Sequence, residues 1–363
     1  MTKKLNISAW SIAAPIVAWL LLAAAQLSLN LGHIEPVLMS IGLIGAVLAA
    51  VHHAETIAHQ LGEPYGTLLL ATAITVIEVG LILSLMLTGG PETAALARDT
   101  VFAAVMIILT GIVGLCLLIG GMLYKEQVFK LHGANVSLST LAAIVVLTLI
   151  LPNYTLTTTG PIYSHSQLAF IALVSLVLYG SFVFVQAVRH RNYFLDATDH
   201  QEQLPIDQTK VSNTNAYVSA GLLLLSLVAV VLLAKSLAPT IENFVAVIHA
   251  PHQLVGVIIA SIVLLPEGLA AVRAARKNMF QTSLNLALGS ALASIGLTIP
   301  AVAILSLITG WTLILGIDMK STVLLLLALF VNAISLATGR TNVLQGVILL
   351  VIFGVYLFTT IVP

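Results

Sequence analysis

Residues 66–88 read GTLLLATAITVIEVGLILSLMLT, a run of 23 positions in which Glu78 is the one ionisable side chain. About 20 consecutive apolar residues carry an α-helix across the hydrocarbon of a bilayer. Only helices and closed barrels can span lipid, because backbone N–H and C=O groups must there be satisfied internally. The run shows no strict apolar/polar alternation, so it predicts a helix rather than a barrel strand. Residues 253–272, QLVGVIIASIVLLPEGLAAV, repeat the pattern around a second acid, Glu267.

The rest of the chain is built the same way. Apolar runs at 9–30, 36–51, 66–88, 100–123, 135–152, 166–188, 215–237, 253–272, 282–308, 321–338 and 343–361 are separated by short polar or Pro/Gly-containing breaks. Of the 363 residues 59% are hydrophobic and only 8% charged, against roughly 25% charged in soluble domains. So little charge cannot clothe a globule in water, so lipid is the solvent. The formal net charge of zero gives no reason to expect a nucleic-acid partner, and the single cysteine, Cys116, excludes an internal disulfide. The first run follows Lys3 and Lys4 as a signal peptide would. Its length suits a spanning helix better than a cleaved h-region, and it reads as a retained helix.

The fold class expected is therefore all-α: a polytopic membrane protein of about 11 transmembrane helices. With the N-terminus in the cytoplasm, inside loops hold Lys3, Lys4, Lys125, Lys130, Arg189, Arg191, Lys210, Arg273, Arg276, Lys277 and Arg340. Outer loops and helix ends hold only Arg98, Lys235 and Lys320, so eleven of the 14 basic residues lie inside. That is the positive-inside bias of an N-in/C-out chain. The polar stretch 189–214, with Asp196, Asp199, Glu202 and Asp207, divides one leading helix plus five from a second five. An odd helix number per half inserts the second half upside down, as in the inverted repeats of many secondary transporters. The organisation expected is a leading helix at 1–34, a first five-helix repeat at 35–188, a cytoplasmic polar linker at 189–214 and a second repeat at 215–363.

Glu78 and Glu267 each fall on the second helix of a five-helix half, while the other acids lie in loops or near helix ends. A charge at the bilayer centre costs about 2.5–3.5 kcal/mol on insertion scales, so such groups line pathways or find partners. Two carboxylates at one site would be neutralised either by a cation or by protons, and the two would compete for the same oxygens. Hydroxyls accompany both acids. Thr72 and Thr75 share a helical face with Glu78, and Ser290, Ser294 and Thr298 recur at four-residue spacing on the ninth run. Such hard neutral oxygens suit Na⁺, K⁺ or Ca²⁺, although membrane Ser and Thr also bond back to their own helix. Pro266 is expected to interrupt the helix beside Glu267 and free the Ile262 carbonyl. His52, Glu55 and His59 share another face, either a solvated helix end or a regulatory metal- or pH-sensing site. A nucleophile with its base, or a His-Glu-x-x-His motif, is missing from the sequence, so an enzyme is not expected. The alternative from another class is a passive cation channel.

At these residues the chain resembles the cation/proton exchanger family of the Ca²⁺/cation antiporter superfamily, nearest its bacterial ChaA type. Gly62-Glu63-Pro64-Tyr65-Gly66 leads to Ala71-Thr72 and Glu78; Pro266-Glu267-Gly268-Leu269-Ala270 leads to Gly289-Ser290 and Pro300. Thr338-Gly339-Arg340-Thr341-Asn342 is similar to the family's final loop. The family's Gly-Asn-x-x-Glu reads Ile74-Thr75-Val76-Ile77-Glu78 and Val263-Leu264-Leu265-Pro266-Glu267 here, and its Gly-Ser-x-x-Gln reads Gly289-Ser290-Ala291-Leu292-Ala293. Two amides are thus absent and Thr75 replaces another, which favours a broad cation range over tight Ca²⁺ selectivity. The resemblance implies exchange of Ca²⁺, Na⁺ and/or K⁺ for H⁺ in a bacterial cytoplasmic (inner) membrane, with no cofactor. Inorganic cations, protons and the lipid bilayer are the partners; assembly into a homo-oligomer is left open.

Overall fold

Each apolar run becomes a helix. The computed structural model of the protein describes residues 8–27, 34–61, 65–195, 213–251 and 253–362. Along them lie α1 (Ala9–Gln26), α2 (Glu35–Leu61), α3 (Tyr65–Gly89), α4 (Leu96–Tyr124), α5 (Leu131–Tyr154), α6 (His165–Arg189), α7 (Asn213–Val247), α8 (Gln253–Arg276), α9 (Phe280–Thr309), α10 (Met319–Ser335) and α11 (Val343–Ile361). Among the described residues nine of these are long and apolar enough to cross a membrane, and α1 and α10 are shorter apolar helices. Single β-bridges join Val128 to Arg340 and Ile162 to Ile314. The linker acids Asp196, Asp199, Glu202 and Asp207 lie outside the described residues.

Two expectations need correction. Helix α2 continues ten residues past the end of its apolar run at 51, and α7 continues to Val247 through Pro239. Hydropathy falls at those points, but the backbone ladder does not need apolar side chains to continue. Pro266 does not interrupt α8, which runs unbroken from Gln253 to Arg276. Proline removes one N–H from the ladder, and a membrane helix tolerates this where neighbouring helices pack around it.

The chain divides into two compact units, one of residues 1–85 and 205–248, the other of residues 86–204 and 249–363. In the first, α2 packs against α1 and α7, and α1 also packs against α7. The alanines of α2 make this possible: Ala46, Ala49, Ala50 and Ala54 are all buried, and small residues let membrane helices approach closely. At Gly42 the helices are close enough that an added Cβ would stand 2.6 Å from the Leu21 methyl of α1 and displace it. Polar ties are few. The Trp19 indole donates to the Leu225 carbonyl (3.2 Å), and His53 Nε2 donates to the Ser11 carbonyl (2.9 Å).

The second unit is a bundle of α4–α6 and α8–α11 whose loops knit into belts at its two ends. At one end the Ile314 amide donates to Ala94, those of Leu315 and Gly316 to Pro161, and that of Ile317 to Leu149, so the loops before α4, α6 and α10 meet. At the other end the Phe129 amide donates to Gly339 and that of Thr341 to Gln127, while the buried Gln127 amide donates to Ala275 O and Asn278 Oδ1. Here the loops after α4, α8 and α10 meet. Lys125, Lys130, Arg276, Lys277 and Arg340 all belong to this second belt, whereas the first holds Arg98 and Lys320. Between the belts α4 and α11 touch closely at Gly346, where a Cβ would stand 2.5 Å from the Leu118 nitrogen.

Candidate functional site

Glu267 sits in the middle of α8 with 8% of its surface exposed. Ser290 of α9 donates its hydroxyl to Glu267 Oε1 at 2.7 Å, so the structure brings together two residues singled out by the sequence. Hydrogen bonds to a carboxylate are short and stronger than neutral ones. The contact arises from close packing of α8 with α9, which the small side chains of α9 permit: Ala287, Ala291 and Ala293 are wholly or almost wholly buried. One turn beyond Ser290, Ser294 is fully buried, and one turn further Thr298 is fully buried with no hydrogen-bond partner for its hydroxyl. The α9 hydroxyls therefore line one buried face, as their spacing predicts.

Glycines on α8 set the position of Glu267 against α4. A Cβ at Gly256 would meet the Asp99 and Thr100 backbone at 2.9–3.1 Å, and one at Gly268 would meet Ile112 Cδ1 at 3.3 Å. Ile112 ends a π-helical turn, Ile107–Ile112, inside α4.

Glu78 belongs to the other compact unit. It is 3% exposed on α3, and Thr75, one turn earlier, is 4% exposed. Thr72, a further turn back, is exposed. Gly80 packs toward Val231 of α7, 3.4 Å from where a Cβ would lie. Glu78 thus has the burial expected of it, and of its two supporting threonines Thr75 shares that burial.

His52 and Glu55 are half-buried on α2, and the His59 side chain lies outside the described residues. His52 stacks obliquely against Trp10 with ring centroids 5.2 Å apart, and its Nε2 lies 3.3 Å from Ser8 Oγ. Sequence reasoning passed over their neighbour His53, which is completely buried between α2 and α1. It also passed over Asn332, a fully buried amide on α10. A polar side chain inside an apolar helix is the available signal for both. Among the described residues no three His, Cys, Asp or Glu side chains gather as for a resident metal.

Comparison with known proteins agrees with the motifs. The model of the sodium/calcium exchanger protein family matches residues 36–188 and 218–362. The chain is 46% identical over 358 residues to y4hA of Sinorhizobium fredii, covering 96% of this chain and 97% of that one. It is 34% identical over 322 residues to the sodium-potassium/proton antiporter ChaA of Escherichia coli K12, covering 88% and 86%. Among solved structures, native YfkE superposes with a TM-score of 0.73 at 18% identity, covering 98% of this chain and 100% of that one. The H⁺/Ca²⁺ exchanger CAX gives 0.71 at 16%, covering 96% and 87%. At such identities the structural likeness shows a shared fold, while the family match and ChaA carry the sequence relationship. The chain is a multi-pass membrane protein that belongs to the sodium/calcium exchanger family, on the side of its cation/proton exchangers.

Proposed function

We propose that the protein is a secondary antiporter that moves Na⁺, K⁺ and/or Ca²⁺ across a bacterial cytoplasmic membrane in exchange for H⁺. Glu78 and Glu267 are the carboxylates on which proton and cation alternate. The observation that carries this reading is Glu267: a mid-helix acid, buried, held by the Ser290 hydroxyl at 2.7 Å. Glu78, buried on the equivalent helix of the other sequence half, supports it. In lipid an unneutralised carboxylate is costly, so each acid exchanges one neutralising partner for another instead of standing bare. Thr72, Thr75, Ser290 and Ser294 supply neutral oxygens for the cation. The lack of amides at positions 264 and 293 (Leu and Ala) and the relationship to ChaA favour monovalent ions alongside Ca²⁺. His52, Glu55 and His59 form a cytoplasmic regulatory face in this reading.

Glu78→Gln and Glu267→Gln test the assignment in everted vesicles, where a cation added outside collapses a respiration-driven proton gradient. Glutamine keeps the shape and hydrogen-bonding capacity of glutamate but cannot lose a proton or hold formal charge. Each variant should insert normally and lose cation-dependent proton release, whereas Glu35→Gln and Glu92→Gln should behave as wild type. A Gln variant that keeps the wild-type rate and pH profile shows that its glutamate is structural.

A further inference from the structure

The π-helical turn of α4 has a tie of its own. Asn332 of α10 is completely buried, and its side-chain Nδ2 donates to the Leu109 carbonyl inside the turn (3.0 Å) and to Ala328 one turn back on its own helix (2.8 Å). Leu109, wholly buried, lies three residues before Ile112. Ile112 in turn is the side chain against Gly268, next to Glu267. The same turn packs against α8, α9, α10 and α11. It is thus the element that touches the helix of Glu267, the helix of Ser290 and the helix of Asn332 together.

A π turn widens the backbone, weakens the regular i→i+4 ladder and recurs at functional sites. Its register can revert to α-helix by shifting one residue, which would rotate every later side chain of α4 by roughly 100°. A carbonyl fixed from outside resists that shift. An amide donor on a separate helix supplies such a lock, and in a low-dielectric interior its loss leaves polar groups with no solvent to replace it.

We propose that Asn332 is a positioning residue for cation exchange: by holding the π turn of α4 it fixes Ile112 against Gly268 and thereby the reach of the Glu267 carboxylate toward the cation. The proposal rests on the carboxylate role of Glu267 and adds the device that sets its geometry. Asn332 itself does not touch the ion. Its removal shifts cation affinity and the proton competition that depends on the same oxygens, rather than deleting the exchange step.

Purified protein in liposomes, with rates measured against Na⁺, K⁺ and Ca²⁺ concentration across pH, provides the test. Asn332→Leu keeps the volume and removes the donor; Asn332→Ser keeps a hydroxyl and covers the case in which the leucine variant fails to insert. Each is expected to raise the half-saturating cation concentration about five-fold and to displace the pH profile. Asn332→Leu should also couple to the carboxylate. In a Glu267→Asp background, or in Ser290→Ala where the aspartate variant is silent, its effect should depart from the product of the two single effects. Unchanged half-saturation and pH profile in both Asn332 variants, or purely multiplicative effects, overturn the proposal. An active Glu267→Gln protein instead overturns the carboxylate reading, so the two failures are told apart.

Discussion

At the scale of single residues, Glu267 and Ser290 form a buried pair of carboxylate and hydroxyl. The serine hydroxyl donates to one carboxylate oxygen at 2.7 Å without contributing charge; in the proposed function the cation and the proton alternate in neutralising the acid. Ser290→Ala removes that donor and leaves the helix packing intact. Hydrogen bonds to charged groups are worth about 1.5–3 kcal/mol, so the half-saturating cation concentration should rise by about ten-fold or more, with Ser290→Thr restoring most of it. Transport kinetics in liposomes check this, and an alanine variant with wild-type affinity would remove Ser290 from the site. Both glutamates were legible in the sequence because each is the one acid in an apolar run. The hydroxyl ladder of Ser290, Ser294 and Thr298 was legible from spacing alone. His53 was not, because the hydropathy of α2 falls at 51 while its backbone continues to Leu61. Asn332 was equally hidden: one amide in a run of apolar residues has no periodicity, and its partner Leu109 lies 223 positions away.

At the scale of elements, the apolar runs anticipated the helices because lipid leaves the backbone no other solution, and length alone then counts the spans. The π turns at Ile107–Ile112, Val146–Ile150 and Val185–Arg189 left no trace in that pattern. The first two are buried among neighbouring helices, while the third has no buried residue. The expected break at Pro266 did not appear either: Pro266 is buried and α8 continues through it. The loop belts carry the orientation. In the second unit Lys125, Lys130, Arg276, Lys277 and Arg340 share one end, with Arg98 and Lys320 at the other, which matches the asymmetry that retains basic loops in the cytoplasm. Cysteines placed singly at Thr338 and at Met319, in the belt loops before α11 and at the start of α10, should therefore label differently. An impermeant maleimide added to intact cells should reach the Met319 position and miss the Thr338 position. The reverse pattern would invert the orientation, and equal labelling from outside would deny that α10 crosses the membrane.

At the scale of the whole molecule, the compact units do not follow the order of the sequence. The first unit combines the N-terminal helices with α7, which opens the second sequence half, and the second unit takes the remaining helices of both halves. The proposed inverted repeat is a statement about chain topology, and packing joins helices across it. Sequence order therefore could not show which helices share a core, although α1's place beside α2 and α7 follows once the alanine-lined face of α2 is seen. Function depends on this level because exchange must be coupled: one ion's gradient has to move the other uphill, and neither may leak alone. Purified protein reconstituted in liposomes with a Na⁺, K⁺ or Ca²⁺ gradient imposed against an opposing pH gradient, the membrane potential clamped, measures that directly. The account predicts proton movement up its own gradient, driven by cation flux, with no net proton movement when the cation is absent and none in Glu267→Gln protein. Cation flux that runs only down its own gradient, leaving the protons where they were, would identify a passive channel and contradict the antiport mechanism.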